Sequence, residues 1–141
     1  MKKMIAGFAF LCILQVSVFA QTTSTWTGGT PGKVADWNCS TNWKEGRVPD
    51  ENTQVIIPSD LIYYPVIMSQ VPDIDAMLVT GGAQLTILNG ASLTILGESR
   101  RFDVLTNQGK IVNEGNLRIF STENFPTDPW SSVHGNAIVR N

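Results

Sequence analysis

Along the middle of the chain, apolar and polar residues alternate in short runs, and the runs recur at a fixed interval. In residues 83–95, AQLTILNGASLTI, the offset is eight: Ala83 recurs as Ala91, Leu85 as Leu93, Thr86 as Thr94 and Ile87 as Ile95, with Gly82 recurring as Gly90. Met77 and Val79 hold the places of Leu85 and Ile87 one unit upstream, so three units run in tandem. Alternation with a period of two sends the leucines and isoleucines to one face of a strand and the threonines to the other. A tighter repeat follows at an offset of six, Asn107-x-Gly109-x-Ile111 and Asn113-x-Gly115-x-Leu117. Asn and Gly both tolerate left-handed backbone angles and suit corners, while Ile111, Leu117 and Ile119 aim at a shared core. Asn107 and Asn113 are expected to form buried ladders at those corners, their amides bonding to the backbone of neighbouring coils.

Asn89-Gly90 is also a strong hairpin signal. A two-residue loop there would pair Ile87 with Ser92, Thr86 with Leu93 and Leu85 with Thr94, setting apolar against polar on one face. A three-residue loop, 89–91, restores the faces but leaves Ala91 where a glycine is usually needed. Translation keeps parity, so like stacks on like when the units become sides of successive coils. The pattern predicts an all-β chain: a short right-handed parallel β-solenoid (β-helix) with two or three units per coil, with an antiparallel β-sandwich as the alternative. Met77, Val79, Leu85, Ile87, Leu93, Ile95, Ile111 and Leu117 would stack inside it, each burial contributing roughly 1.5–3 kcal/mol.

The flanks read differently. Residues 1–20 are expected to be a secretory signal peptide: Lys2 and Lys3 form the basic end, 5–18 is almost continuously apolar, and Val18-Phe19-Ala20 offers small residues at the cleavage positions. The apolar run is too short, and too soon followed by Thr and Ser, to be a membrane span. Cys12 lacks the small preceding residue of a lipidated cysteine. Residues 21–58 hold three of the four tryptophans among turn-forming residues and are expected to form a Trp-rich N-terminal cap over the open end of the repeats. Residues 59–120 carry the solenoid repeats, and 121–141 form a C-terminal cap or an incomplete coil. Strands are expected at 54–57, 63–67, 74–79, from 102 to 105, and weakly at 136–139. In the tail Pro126 and Pro129 bracket a turn and Trp130 is expected to fold back over the last coil.

Without the leader, 8 basic and 12 acidic side chains remain, a net charge of −4 spread evenly along the chain. With no basic cluster, nucleic acid and anionic membranes are poor partners. About 120 residues make a single domain. Only Cys39 survives cleavage, which excludes an intrachain disulfide and leaves either a buried small apolar residue or a free thiol able to link chains.

Thr25 to Gly29 (TWTGG), Asp36-Trp37-Asn38, Asn42-Trp43, Val48-Pro49, the VIIP ending at Pro58 and the YPVI ending at Ile67 resemble a Trp-rich module of exported surface proteins of Gram-negative bacteria. In that family such a segment leads into Asn- and Gly-rich repeats of the L-T-I-x-N-G-A-S-L-T-I kind. The resemblance covers residues 25–120. It implies a β-helical, adhesive or scaffolding protein associated with type IX secretion. Members are commonly far longer and often end in a sorting domain, so it implies a shortened relative.

Enzymatic constellations are sparse. His134 is the only histidine, and no glycine-flanked nucleophilic serine or phosphate loop occurs. Asp73 and Asp75, at i and i+2, would share a strand face as do carboxylates of long β-helix polysaccharide lyases and hydrolases, but no Lys or Arg partner is near. A solvated strand end is the simpler reading. Asn38-Cys39-Ser40 fits a glycosylation pattern that a bacterial-type protein would leave unmodified. The chain is therefore expected to be a non-enzymatic exported module with a structural or adhesive role, without cofactor or metal. Its expected place is extracellular or on the outer cell surface, with the periplasm as the other compartment, and its partners are glycans or proteins there. The alternative is a carbohydrate-binding module using exposed Trp26, Trp37 and Trp43, with Tyr63 and Tyr64 as further aromatics. A third reading is the remnant of a β-helix polysaccharide-active enzyme.

Overall fold

The computed structural model describes residues 21–98, 103–120, 133–135 and 138–140; the expected signal peptide and the turn around Pro126, Pro129 and Trp130 lie outside them. Eleven strands are present among the described residues: β1 (Thr22–Thr25), β2 (Thr53–Ile57), β3 (Val66–Ile67), β4 (Ala76–Val79), β5 (Gln84–Ile87), β6 (Ser92–Ile95), β7 (Leu105–Asn107), β8 (Lys110–Asn113), β9 (Asn116–Ile119), β10 (Val133–Gly135) and β11 (Ile138–Arg140). One 3₁₀ turn, Ser40–Asn42, is the only helical element described. The chain is all-β.

The strands form three sheets, ordered β1-β2-β4-β7-β10, β11-β8-β5-β3 and β6-β9, and every ladder between them is parallel. From β4 the chain visits the first, second and third sheets in turn, and β7, β8 and β9 repeat that order. The octads therefore do not pair with one another. Each pairs instead with a strand of the next passage through the three sheets: Met77 with Leu105, Leu85 with Ile111, Leu93 with Leu117. Those inward rows, with Val55, Ile57, Ile67, Ile74, Val79, Ile87 and Ile95, make one buried core on which Leu117 and Ile119 pack half-exposed.

The antiparallel alternative fails at the corners. Gly90 has φ 82°, but Asn89 does not have positive φ, so Asn89-Gly90 is not the turn with two left-handed residues that reverses a hairpin. Instead Ala91 N donates to Leu88 O (3.0 Å), and the chain turns onto a new sheet. The corner of residues 80–83 is built alike, with Ala83 N donating to Thr80 O (3.0 Å) and φ 85° at Gly82. The hexad glycines seat on these corners. A Cβ on Gly109 would lie 2.4 Å from Ala83 O and 2.6 Å from Thr80 O, and one on Gly115 would lie 2.4 Å from Leu88 O and 2.5 Å from Ala91 O. Only glycine fits so close to another backbone.

Asn107 and Asn113 are buried, as expected, but they do not form a ladder of asparagines. They stack on Val79 and Ile87, and each Oδ1 accepts from the N–H two residues on, Gly109 (3.2 Å) and Gly115 (3.1 Å). The offset of six puts them on different sheets, so neither lies above the other. Residues 63–67 yield only the two residues of β3, because Tyr63 O accepts from Trp26 Nε1 (2.8 Å) and is not in a ladder. Residues 74–79 begin their ladder at Ala76, and the expected strand from 102 to 105 appears as β7, Phe102 lying outside the described residues. The tail carries two described strands, β10 and β11, in place of the one expected. Strand β1 has no counterpart in the sequence pattern; Thr22–Thr25 lacks apolar alternation and is held by its ladder to β2. β1 and β2, at the two ends of residues 21–58, extend the sheet of β4 and β7.

Candidate functional site

The segment after β1 is organised by one buried side chain. Asn42 Nδ2 donates to Lys33 O (2.6 Å) and Asp36 O (3.0 Å), while its Oδ1 accepts from Thr30 N (2.9 Å). Its backbone carbonyl accepts from Thr27 N (2.8 Å), Gly28 N (3.1 Å) and Thr27 Oγ1 (2.8 Å). This holds two loops together over the tryptophans. Trp43 sits between the others, edge to face with Trp26 (centroids 5.0 Å, 82°) and with Trp37 (4.8 Å, 79°). Exposure is 0% for Trp26, 0% for Trp37 and 2% for Trp43. A sugar stacks on a flat, exposed ring, and none of these presents one. The structure gives Trp26, Trp37 and Trp43 a packing role in place of ligand contact.

The acidic pair also separates. Asp73 is exposed, whereas Asp75 is buried, its Oδ2 accepting from Gln21 Nε2 and its Oδ1 from Glu98 N (2.8 Å). Asp75 thus ties Gln21 to the end of the third octad and does not share an open face with Asp73. Among the described residues, no group of three or more His, Cys, Asp or Glu could hold a metal ion. Cys39 is half-buried and outside the core, with Sγ 3.2 Å from Thr41 Oγ1. The Thr41 hydroxyl holds its thiol below the usual range, with a smaller contribution from the Lys33 charge.

A third region lies where the first sheet passes to the second. Three connections lead from the first sheet to the second: residues 58–65, 80–83 and 108–109. Between them runs an open groove of about 290 Å³ lined by Tyr64, Gly82, Gln84, Gln108, Gly109 and Lys110, together with Ala83. Gln84 and Lys110 are register partners on β5 and β8, and Gln84 Nε2 donates to Thr86 Oγ1 (3.2 Å). Tyr64 packs against the core, and the same loop exposes Ile62 and Tyr63.

No protein-family model, curated protein or solved structure matches the chain. Chemically, the groove offers an aromatic ring, two primary amides and an ammonium group over a glycine backbone, and no carboxylate lines it. Of these residues, only Tyr64 is offered by the sequence as a ligand contact; Gly82, Ala83 and Gly109 stand out only as repeat positions. Gln84 and Lys110 are 26 residues apart, a distance that neither the offset of eight nor that of six encodes. The doubled glycine at 81–82 is the available signal, since it marks a corner bare of side chains. No helix among the described residues is long and apolar enough to cross a membrane.

Proposed function

We propose that the chain is a short right-handed parallel β-solenoid with a Trp-rich end, acting as a non-enzymatic structural or adhesive module of an exported protein on the outer cell surface or in the extracellular space. The carrying observation is the order of the strands: three parallel sheets are visited in the same sequence in successive circuits, with inward apolar rows in register. A wound chain of this kind presents long regular outer faces and works through shape. The resemblance of the tryptophan and Asn-Gly motifs to surface modules associated with type IX secretion supports the same reading. So does the leader-like pattern of residues 1–20.

Fractionation of Gram-negative cells expressing the 141-residue chain, with intact-mass analysis of the product, tests export. The expected product begins at Gln21 and is found at the surface or in the medium. A full-length product confined to the cytoplasm would overturn the reading.

A further inference from the structure

We propose that the groove between the first and second sheets is the adhesive contact of this module and takes a sugar residue bearing a carboxylate, such as a uronic acid unit within a polysaccharide. The inference rests on the adhesive reading above and names its ligand.

The groove is built as a binding surface. Its floor is the backbone of two stacked corners, kept bare because Gly109 has no room for a Cβ and Gly82 takes a positive φ. A sugar ring can therefore approach main-chain atoms directly. Tyr64 supplies an aromatic wall already held by packing on the core, so little side-chain freedom is lost on binding. Gln84 and Lys110 sit opposite each other on neighbouring strands, about 4.8 Å apart. That spacing places an amide and a cation across the width of one pyranose ring. The Gln84 amide, whose Nε2 also donates to Thr86 Oγ1 (3.2 Å), can meet a ring hydroxyl through its oxygen.

Charge selects the ligand further. The lining holds one ammonium, on the exposed Lys110, and no acidic side chain, although the protein as a whole is acidic. Asp60, on the connection beside the groove, is held to Ser59 Oγ (2.9 Å) and is not a lining residue, so the attraction for an anion is that of Lys110 alone, local and salt-sensitive. Small-molecule pockets run about 300–1,000 Å³, and a groove near the lower limit suits one sugar unit of an extended chain, not an engulfed ligand.

The test is calorimetric titration of the folded chain from Gln21 onward with trigalacturonate, a neutral galactose trisaccharide and a triglutamate peptide. Trigalacturonate is expected to bind about three- to fivefold more tightly than either control, the size of one exposed ion pair. Lys110→Gln should remove that preference, and Tyr64→Ala should weaken binding of the sugar, while Arg118→Gln on the third sheet leaves it unchanged. Because Tyr64 touches the core, Lys110→Gln and Gln84→Ala decide the question if Tyr64→Ala unfolds. Equal binding of the neutral sugar or the peptide, equal loss in Arg118→Gln, or no binding by folded protein would each overturn the proposal. A chain that is exported and folded but binds no uronate overturns the groove alone; cytoplasmic retention overturns the module reading whatever the groove binds.

Discussion

The repeats and the tryptophan-rich end bury similar kinds of side chain by opposite means. Between β4 and β9, parallel ladders satisfy the backbone, and the core is a set of rows in which Leu85 on Ile111 or Leu93 on Leu117 serves equally well. Between residues 26 and 49 regular ladders are nearly absent. Order there depends on individual atoms: the amide of Asn42, the Trp43 indole donating to Trp37 O (2.8 Å) and the Trp26 indole reaching Tyr63 O. The ladder tolerates any residue of the right face and size, whereas the irregular end tolerates little change at a few atoms and much elsewhere. One atom there is even left over. Trp37 Nε1 is buried with no hydrogen-bond partner among the described residues.

The largest expected effect comes from breaking a row. Leu85 is fully buried between Ile111 and the rest of the core, with no cation there to pair with an introduced acid. Leu85→Asp removes about 1.5–3 kcal/mol of burial and adds the far larger penalty of an unpaired charge. Even if the carboxyl takes up a proton and leaves only unmet hydrogen bonds, the combined loss is comparable with the lower end of the stability of an ordinary small domain, about 5–15 kcal/mol. The chain is expected to lose its cooperative thermal transition by circular dichroism. A soluble, cooperatively unfolding variant would contradict the inward assignment of that face.

Next comes the corner. Gly109→Ala puts a methyl group against Ala83 O and Thr80 O, backbone atoms that cannot swing aside. The expected loss is about 3 kcal/mol, the upper end of the usual range for overpacking, read as a shift in denaturant midpoint with unchanged slope. Gly115→Ala should behave alike, since its corner is the same structure one sheet on.

How much of this is legible from sequence follows the same division. The alternation in Leu85-Thr86-Ile87 and Leu93-Thr94-Ile95 identifies the buried face correctly, because a period of two is a local property that pleating enforces. The pairing partners are hidden, because 22, 26 and 28 residues separate Val55 from Met77, Leu85 from Ile111 and Met77 from Leu105. Connections of unequal length erase any fixed repeat. The tryptophans are recognisable as packing material, but the motif Asn42-Trp43 does not show what Asn42 holds, since nothing local marks an asparagine whose partners lie 6 to 12 residues away. Asp75 is misleading for a similar reason: its partners, Gln21 and Glu98, are 54 and 23 residues distant.

A paired substitution sharpens the atom-by-atom character of the irregular end. Trp43→Phe and Trp37→Phe remove comparable ring area from the same cluster, but only the first removes a hydrogen bond, leaving Trp37 O without its indole donor. Trp37→Phe instead removes a buried N–H that has no partner. An unsatisfied buried polar group costs about 1–3 kcal/mol, so Trp43→Phe should be the more destabilising by about that amount. Equal midpoints in urea would show that ring packing alone holds this end together.

The smallest effect tests the repeats from their other side. Thr86 follows Leu85 directly, yet the pleat turns it outward, where it is half-exposed between Val66 and Val112 on the outer face of the second sheet. A lysine there can lay its methylenes along those valines and keep its ammonium in water. It gives up some β propensity and the Gln84 contact to the Thr86 hydroxyl, each a fraction of a kcal/mol. Thr86→Lys is therefore expected to change stability by no more than about 0.5 kcal/mol in either direction, typical of a surface position. Set beside Leu85→Asp, one residue away, it measures how completely the face of the strand, and not its place in the chain, decides what a substitution does.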